Sequence, residues 1–261
     1  MNHGRIKIMT EKKAVEQIAA DPRPLMFVDT CNLGNIVGLA CLGQSKMIIN
    51  TLNCLKEGIE QRSFHLLVAH QVYVEFTRPG QFVDAPLSKL KESVQYWNQA
   101  VQTYNDIKGN FLQHPIMSSS YSQFDLEAAR QLYNELLDIS KGFLYSAIII
   151  KASAHAKKWA YQRQGERKRP AHKGKDSFGD CEICGTTLSV LKRLRQLGFI
   201  EDTYFISENK KDFACNGLLH PDLQSDFDEV SLKYCQTIPE AYRQISQKQI
   251  FAMRGKRQPM K

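Results

Sequence analysis

No stretch of the chain approaches the roughly 18 consecutive apolar residues that a membrane-spanning helix requires. The opening Met1-Asn2-His3-Gly4-Arg5 also lacks the long apolar core of a secretory signal. A cytoplasmic location with no membrane partner is therefore the expectation. A disulfide framework is missing too, because the seven cysteines are odd in number and scattered at 31, 41, 54, 181, 184, 215 and 235, a usage that suits reduced thiols. Cys181-x-x-Cys184 has no second pair at ligand spacing, and a structural zinc usually takes four ligands, so small packed thiols are expected there. The sequence has no internal repeat and no Gly-x-x-x-x-Gly-Lys-[Ser/Thr] phosphate cradle. Asp29-Thr30-Cys31 lacks the second Asp of an aspartyl-phosphate nucleophile, which argues against a phosphatase of that kind.

What is present fits one α/β domain with insertions: 261 residues, 43% of them hydrophobic and 24% charged. The net charge of +8 has a location. Between 151 and 175 stand nine cations (Lys151, Lys157, Lys158, Arg163, Arg167, Lys168, Arg169, Lys173 and Lys175) against the single acid Glu166, so this segment carries a charge of +8 while the rest is near neutral. Trp159 and Tyr161 interleave with them, a composition that tracks phosphates and stacks on unpaired bases. A charge run is otherwise a solvated face. Here it leads straight into Asp176 and Asp180, where cations offset the repulsion between carboxylates and phosphates. Arg254-Gly255-Lys256-Arg257 adds a basic tail within 246–261.

Three short apolar runs read as strands buried on both faces of a parallel sheet, and each is followed by an acid. Asp29 follows Leu25-Met26-Phe27-Val28, Glu75 comes after Leu66-Leu67-Val68-Ala69, and Tyr204-Phe205-Ile206 leads through Ser207 and Asn209 to Asp212. Asp180 stands in Asp176-Ser177-Phe178-Gly179-Asp180. Helical patterns alternate with the strands, and such sheets bind ligands beyond the carboxyl ends of their strands. One acid after a strand is ordinarily a helix cap. Four in that position point to a cluster that holds divalent metal, with the hydroxyls of Thr30 and Ser207 beside it. Asp176 shares a helical face with Asp180 and either extends this site or, with Ser177, caps the helix. Glu182 turns to the other side. His70 and His220 read as packed or hydrogen-bonded residues.

The remainder reads as scaffold. Residues 44–61 carry a helical stripe of Met47, Ile48, Leu52, Leu55 and Ile59, and 87–107 one of Leu87, Leu90, Val94, Trp97 and Val101. After a loop around 114–122, residues 123–158 read as one long helix or two consecutive ones, making about 79–175 a mostly helical insertion. The helix bearing Asp180 has Leu188, Leu191, Leu194 and Leu197 on its buried side, Val230 to Tyr234 is a final strand, and Pro239 starts a helix. The expected organisation is an N-terminal helix or arm at 1–24 outside the core, one domain at 25–245, and the tail.

Phe27-Val28-Asp29-Thr30, the Glu75 helix, Gly179-Asp180-Cys181-Glu182-Ile183 and Phe205-Ile206-Ser207-x-Asn209-x-x-Asp212-Phe213 resemble, in order and spacing, the PIN-domain nucleases. The insertion and Leu219-His220-Pro221-x-Leu223 are more similar to the long bacterial PIN-like proteins than to compact toxins. The resemblance implies a PIN-like (Rossmann-like) central parallel sheet flanked by helices. It makes Asp29, Glu75, Asp180 and Asp212 the catalytic, metal-holding acids for Mg²⁺ or Mn²⁺, hard cations that take oxygen ligands. In many members the fourth acid stands where Asn209 stands here, so Asn209 joins the site through its amide oxygen; Cys31 replaces a common Asn, and Asn32 follows it. The implied activity is endonucleolytic hydrolysis of phosphodiesters, in RNA rather than DNA and in single strands, by a homodimer, as a toxin or antiphage effector under an inhibitory or activating partner. The alternative is a non-catalytic nucleic-acid-binding module on the same fold.

Overall fold

The computed structural model describes residues 8–41, 44–78, 82–111, 123–171 and 177–255. Its elements are β1 (Ile8–Thr10), α1 (Glu11–Ala20), β2 (Leu25–Val28), α2 (Thr30–Cys41), α3 (Ser45–Glu60), β3 (His65–Ala69), α4 (His70–Phe76), α5 (Asp84–Phe111), α6 (Gln123–Ser146) and β4 (Ile148–Lys151). They continue with α7 (Ala154–Glu166), α8 (Phe178–Gln196), β5 (Thr203–Ile206), α9 (Lys210–Phe213), β6 (Ala214–Cys215), β7 (Leu218–Leu219), α10 (Pro221–Glu229), β8 (Leu232–Cys235) and α11 (Ile238–Gly255).

Strands β2 and β5 bury every residue, and β3 and β4 all but a terminal one, because helices cover both faces of the sheet. Six strands pair in the order β1-β4-β3-β2-β5-β8, and every pairing is parallel. The chain steps outward from β2 to β3 and β4, then returns to the other side of β2 with β5 and β8. A switch point therefore lies between β2 and β5, a Rossmann-like arrangement in which a crevice opens beyond the carboxyl ends of those two strands. One helical group packs around α8 (α1, α4, α7 and α10), another around α3 (α2 and α11). The α7–α8 contact is close: a Cβ on Gly185 would stand 2.7 Å from the carbonyl oxygen of Ala156. Asn216 and Gly217, at φ 51° and 82°, turn the small antiparallel β6–β7 hairpin, as a type I′ turn requires.

Several expectations need correction. The span 123–158 is not continuous helix, since β4 interrupts it. Ile148-Ile149-Ile150 keeps the apolar stripe of α6 going, but three consecutive β-branched residues favour a strand, and β3 and β1 receive it on either side. The segment 79–175 is thus an insertion only in α5 and α6, because β4 belongs to the central sheet. The N-terminal segment is no outlying arm: β1 pairs with β4, and Ala14, Val15 and Ile18 of α1 are buried. Residues 246–255 continue α11 rather than forming a separate tail, and 256–261 lie outside the described residues, as does the loop at 114–122. Of the expected stripes, Met47 and Leu197 are exposed while Ile48, Leu55, Leu188, Leu191 and Leu194 are buried; nothing is described for the side chains of Trp97 and Val101. Arg195 ties the segments entering β5 and β8 together, donating to the carbonyls of Phe199, Glu201, Val230 and Ser231 and to the Thr203 hydroxyl.

Candidate active site

Val28 and Ile206 are partners in parallel register, so the next residues, Asp29 and Ser207, leave the sheet side by side. Asp29 N still donates to Ile206 O at 3.0 Å, and Ser207 N to Cys235 O at 3.1 Å, which fixes both backbones. The Ser207 hydroxyl donates to Asp29 Oδ2 at 2.6 Å, the Cys31 thiol to the same oxygen at 3.1 Å, and Thr30 N to Asp29 Oδ1 at 2.7 Å. Thr30 begins α2, and its hydroxyl donates to Glu75 Oε2 at 2.6 Å. Gln71 Nε2, one turn back on α4, donates to Glu75 Oε1 at 2.8 Å. A Cβ on Gly179 would lie 2.7 Å from Glu75 Oε1, so a larger residue where α8 starts, with Asp180 next, would displace the Glu75 carboxylate.

Asp29, Thr30, Cys31, Glu75, Asp180 and Asn209 line one cavity of about 840 Å³ beyond the sheet, faced across it by Phe82, Lys89 and Ser93. The first three acids thus share a cavity. The fourth position differs: Asn209 lines the cavity and Asp212 stands behind it, fully buried. Asn209 Nδ2 donates to Asp212 Oδ2 at 2.6 Å, which turns the amide oxygen of Asn209 away from Asp212. Arg169 reaches the same carboxylate, with Nη1 at 3.9 Å from Asp212 Oδ1, and donates to the carbonyl of Lys211. Asp212 thereby holds Asn209 and anchors the loop after α7.

Burial pushes the Asp29 carboxyl above its ordinary range; the bonds from Ser207, Cys31 and Thr30 pull it down, and the charge of Glu75 adds to the rise. Burial, with Asp29 adding to it, also holds the Cys31 thiol well up, consistent with its role as a donor. A carboxyl with a raised folded pKa contributes stability that is fully present below the unfolded pKa and lost as pH rises through the folded one. In EDTA, the thermal midpoint of the wild type should therefore fall relative to that of Asp29→Asn as the pH rises above about 4. Parallel curves for the two proteins would contradict the assignment.

Of the sequence-predicted cations, Lys157, Lys158, Arg167 and Lys168 are exposed, Lys168 beside Glu166 at 3.0 Å. Arg163 does not belong with them. It is buried, paired with Asp226, bonded to the Asp222 carbonyl at 2.8 Å and laid over the Trp159 ring at 4.9 Å, so it fastens α7 to α10. Asp176, Lys173 and Lys175 lie outside the described residues. Ser177 is the N-cap of α8 without a side-chain cap bond. Cys181 and Cys184 are buried free thiols, that of Cys181 pushed up to about 12 by burial. His70 stacks on Tyr73, its pKa lowered by burial and Lys151, and His220 caps α10 by accepting from Asp222 N at 3.2 Å.

Sequence reasoning missed Glu208, Asn35 and Lys89. Asn35 Nδ2 donates to Glu208 Oε2 at 2.5 Å, while Asn32 Nδ2 donates to Gln236 O at 2.9 Å, binding α2 to the loops after β5 and β8. Asn32 and Asn35, three apart, had to share a helical face, and that was the available signal. Lys89 lies in α5, whose apolar stripe reads as scaffold, and no local pattern marks it as facing the cavity.

Among the described residues, no three His, Cys, Asp or Glu side chains already converge on a metal position. Asp29 and Glu75 are instead joined through Thr30. No protein-family model matches the chain, and neither a curated protein nor a solved structure shows significant similarity to it.

Proposed function

We propose that the protein is a PIN-like nuclease that hydrolyses phosphodiester bonds with a divalent cation, cutting single-stranded RNA internally. The observation that carries this reading is the grouping of Asp29, Glu75, Asp180 and Asn209 on one cavity at the switch point of a parallel sheet. Their donor atoms are all oxygens, the set that Mg²⁺ or Mn²⁺ takes. A buried Asp29 whose carboxyl is held above its ordinary range, with Glu75 raising it further, is what a neighbouring cation would offset. Asp29, Glu75 and Asp180 would hold the ion with the amide oxygen of Asn209, and when bound it would supply Lewis-acid polarisation of the phosphodiester and activation of a water.

The chain's own residues do the positioning. Ser207, Thr30 and Gln71 fix the two carboxylates, and Asp212 fixes Asn209. Lys89 across the cavity and the exposed cations of α7 offset the charge of the acids toward a polyanion. Mn²⁺ titrated calorimetrically into metal-free protein should bind to the wild type and to Cys31→Ser, with affinity falling at least about tenfold in Glu75→Gln. Equal binding by all three proteins would remove the metal from this site.

A second reading, a binding module without catalysis, is favoured by one feature: an amide stands at the fourth acid's position while its neighbouring carboxylate is buried. RNA binding that is indifferent to chelation and to Asp180→Asn, with no cleavage, would select it. As a toxin or antiphage effector, the wild type would arrest growth on expression where Asp29→Asn would not.

A further inference from the structure

Phe178 opens α8 two residues before Asp180, and its ring packs on that of Tyr161 in α7, with centroids 4.7 Å apart and planes at 42°. Gly185 meets Ala156 further along the same pair of helices, so α7 and α8 run antiparallel and the C-terminal half of α7 lies beside the start of α8. Tyr161 remains 64% exposed although it is a large aromatic. Lys157 and Lys158, four and three residues earlier, are exposed on the same helical face. The other aromatic of the basic segment is differently placed, since Trp159 packs against the core and is covered by Arg163.

Building on the nuclease reading, we propose that Tyr161, backed by Phe178, is a stacking subsite for one unpaired nucleobase of a single strand. Lys157 and Lys158 hold the backbone of that strand, which continues past the start of α8 toward the cavity lined by Asp180. A base offers a π-face whatever its identity, so the subsite selects unpaired strands rather than sequence. In a duplex each base is already stacked on its neighbours, and an exposed tyrosine on a helix surface gains nothing from it. The paired lysines beside an exposed aromatic ring favour a polyanion with planar groups over a protein partner.

The test uses full-length protein in EDTA and an oligonucleotide of about ten residues carrying one 2-aminopurine, so that binding is read without cleavage. Wild type should quench the probe on binding. Tyr161→Ala should lose the quenching and bind between about five- and a hundredfold more weakly, while Tyr161→Phe stays close to wild type. The same sequence as a duplex should show no dependence on residue 161. Unchanged affinity and quenching in Tyr161→Ala, or no binding of the strand by wild type, would overturn the subsite. Failure of the nuclease reading is separable from this: tyrosine-dependent binding would persist while wild type with Mn²⁺ cleaves nothing.

Discussion

Asp29→Asn is expected to lower the rate of metal-dependent cleavage by about a thousandfold while leaving the protein folded. Asp29 sits at the switch point between β2 and β5, accepts from Ser207, Thr30 and Cys31, and is 3% exposed. The amide is of equal size and keeps its oxygen for Thr30 N, and the Ser207 hydroxyl turns to accept from the new N–H. What is removed is the negative charge. If the proposed cation contributes about 4 kcal/mol to stabilising the transition state, its loss corresponds to ~10³ in rate. Single-turnover cleavage at saturating protein, together with thermal unfolding of both proteins, gives the comparison. A variant that cleaves within about threefold of wild type would place the essential charge elsewhere in the cavity.

The second large effect is at Asp212, where ligand and positioning roles give different outcomes. Asp212 is fully buried, receives Asn209 Nδ2 at 2.6 Å and lies 3.9 Å from Arg169. Asp212→Ala strands the Asn209 amide and leaves Arg169 without its carboxylate. Because Arg169 is partly solvated and not in direct contact, the loss is nearer that of a charged hydrogen bond, about 2 kcal/mol, than that of a buried ion pair. Cleavage should fall about 10- to 100-fold, the usual cost of removing a group that orients a ligand. Asp212→Asn retains an oxygen for Asn209 Nδ2 and should recover most of that activity, with Mn²⁺ affinity close to wild type. If Asp212→Asn instead abolished Mn²⁺ binding as fully as Asp29→Asn, Asp212 would be a ligand, not a positioning residue.

The sequence made β2, β3 and β5 readable because each is a short apolar run closed by a polar residue, and Asp29 and Glu75, which follow two of these runs, line the cavity; Asp180 reaches it from the start of α8, which no strand run marks. Strand β4 was hidden because Ile148 to Ile150 continue the apolar stripe of α6, and periodicity does not separate a buried strand from one more helical turn. The contact between Asp29 and Ser207 depends on strand register, which no local pattern carries. Arg163 reads as a surface cation in the sequence, but Asp226, distant in the chain, pairs with it in the fold. Asp212 and Asn209 illustrate the same limit: both follow β5 within a few residues, and only the packing of α9 decides which faces the cavity and which is buried.

The most direct measurement is cleavage of labelled single-stranded RNA and DNA, side by side, by wild type and Asp180→Asn with Mn²⁺, Mg²⁺ or EDTA. The account predicts internal cuts in RNA by the wild type with either metal, none in EDTA, and none by Asp180→Asn. Strand binding by both proteins without cleavage of either polymer in any metal would contradict it.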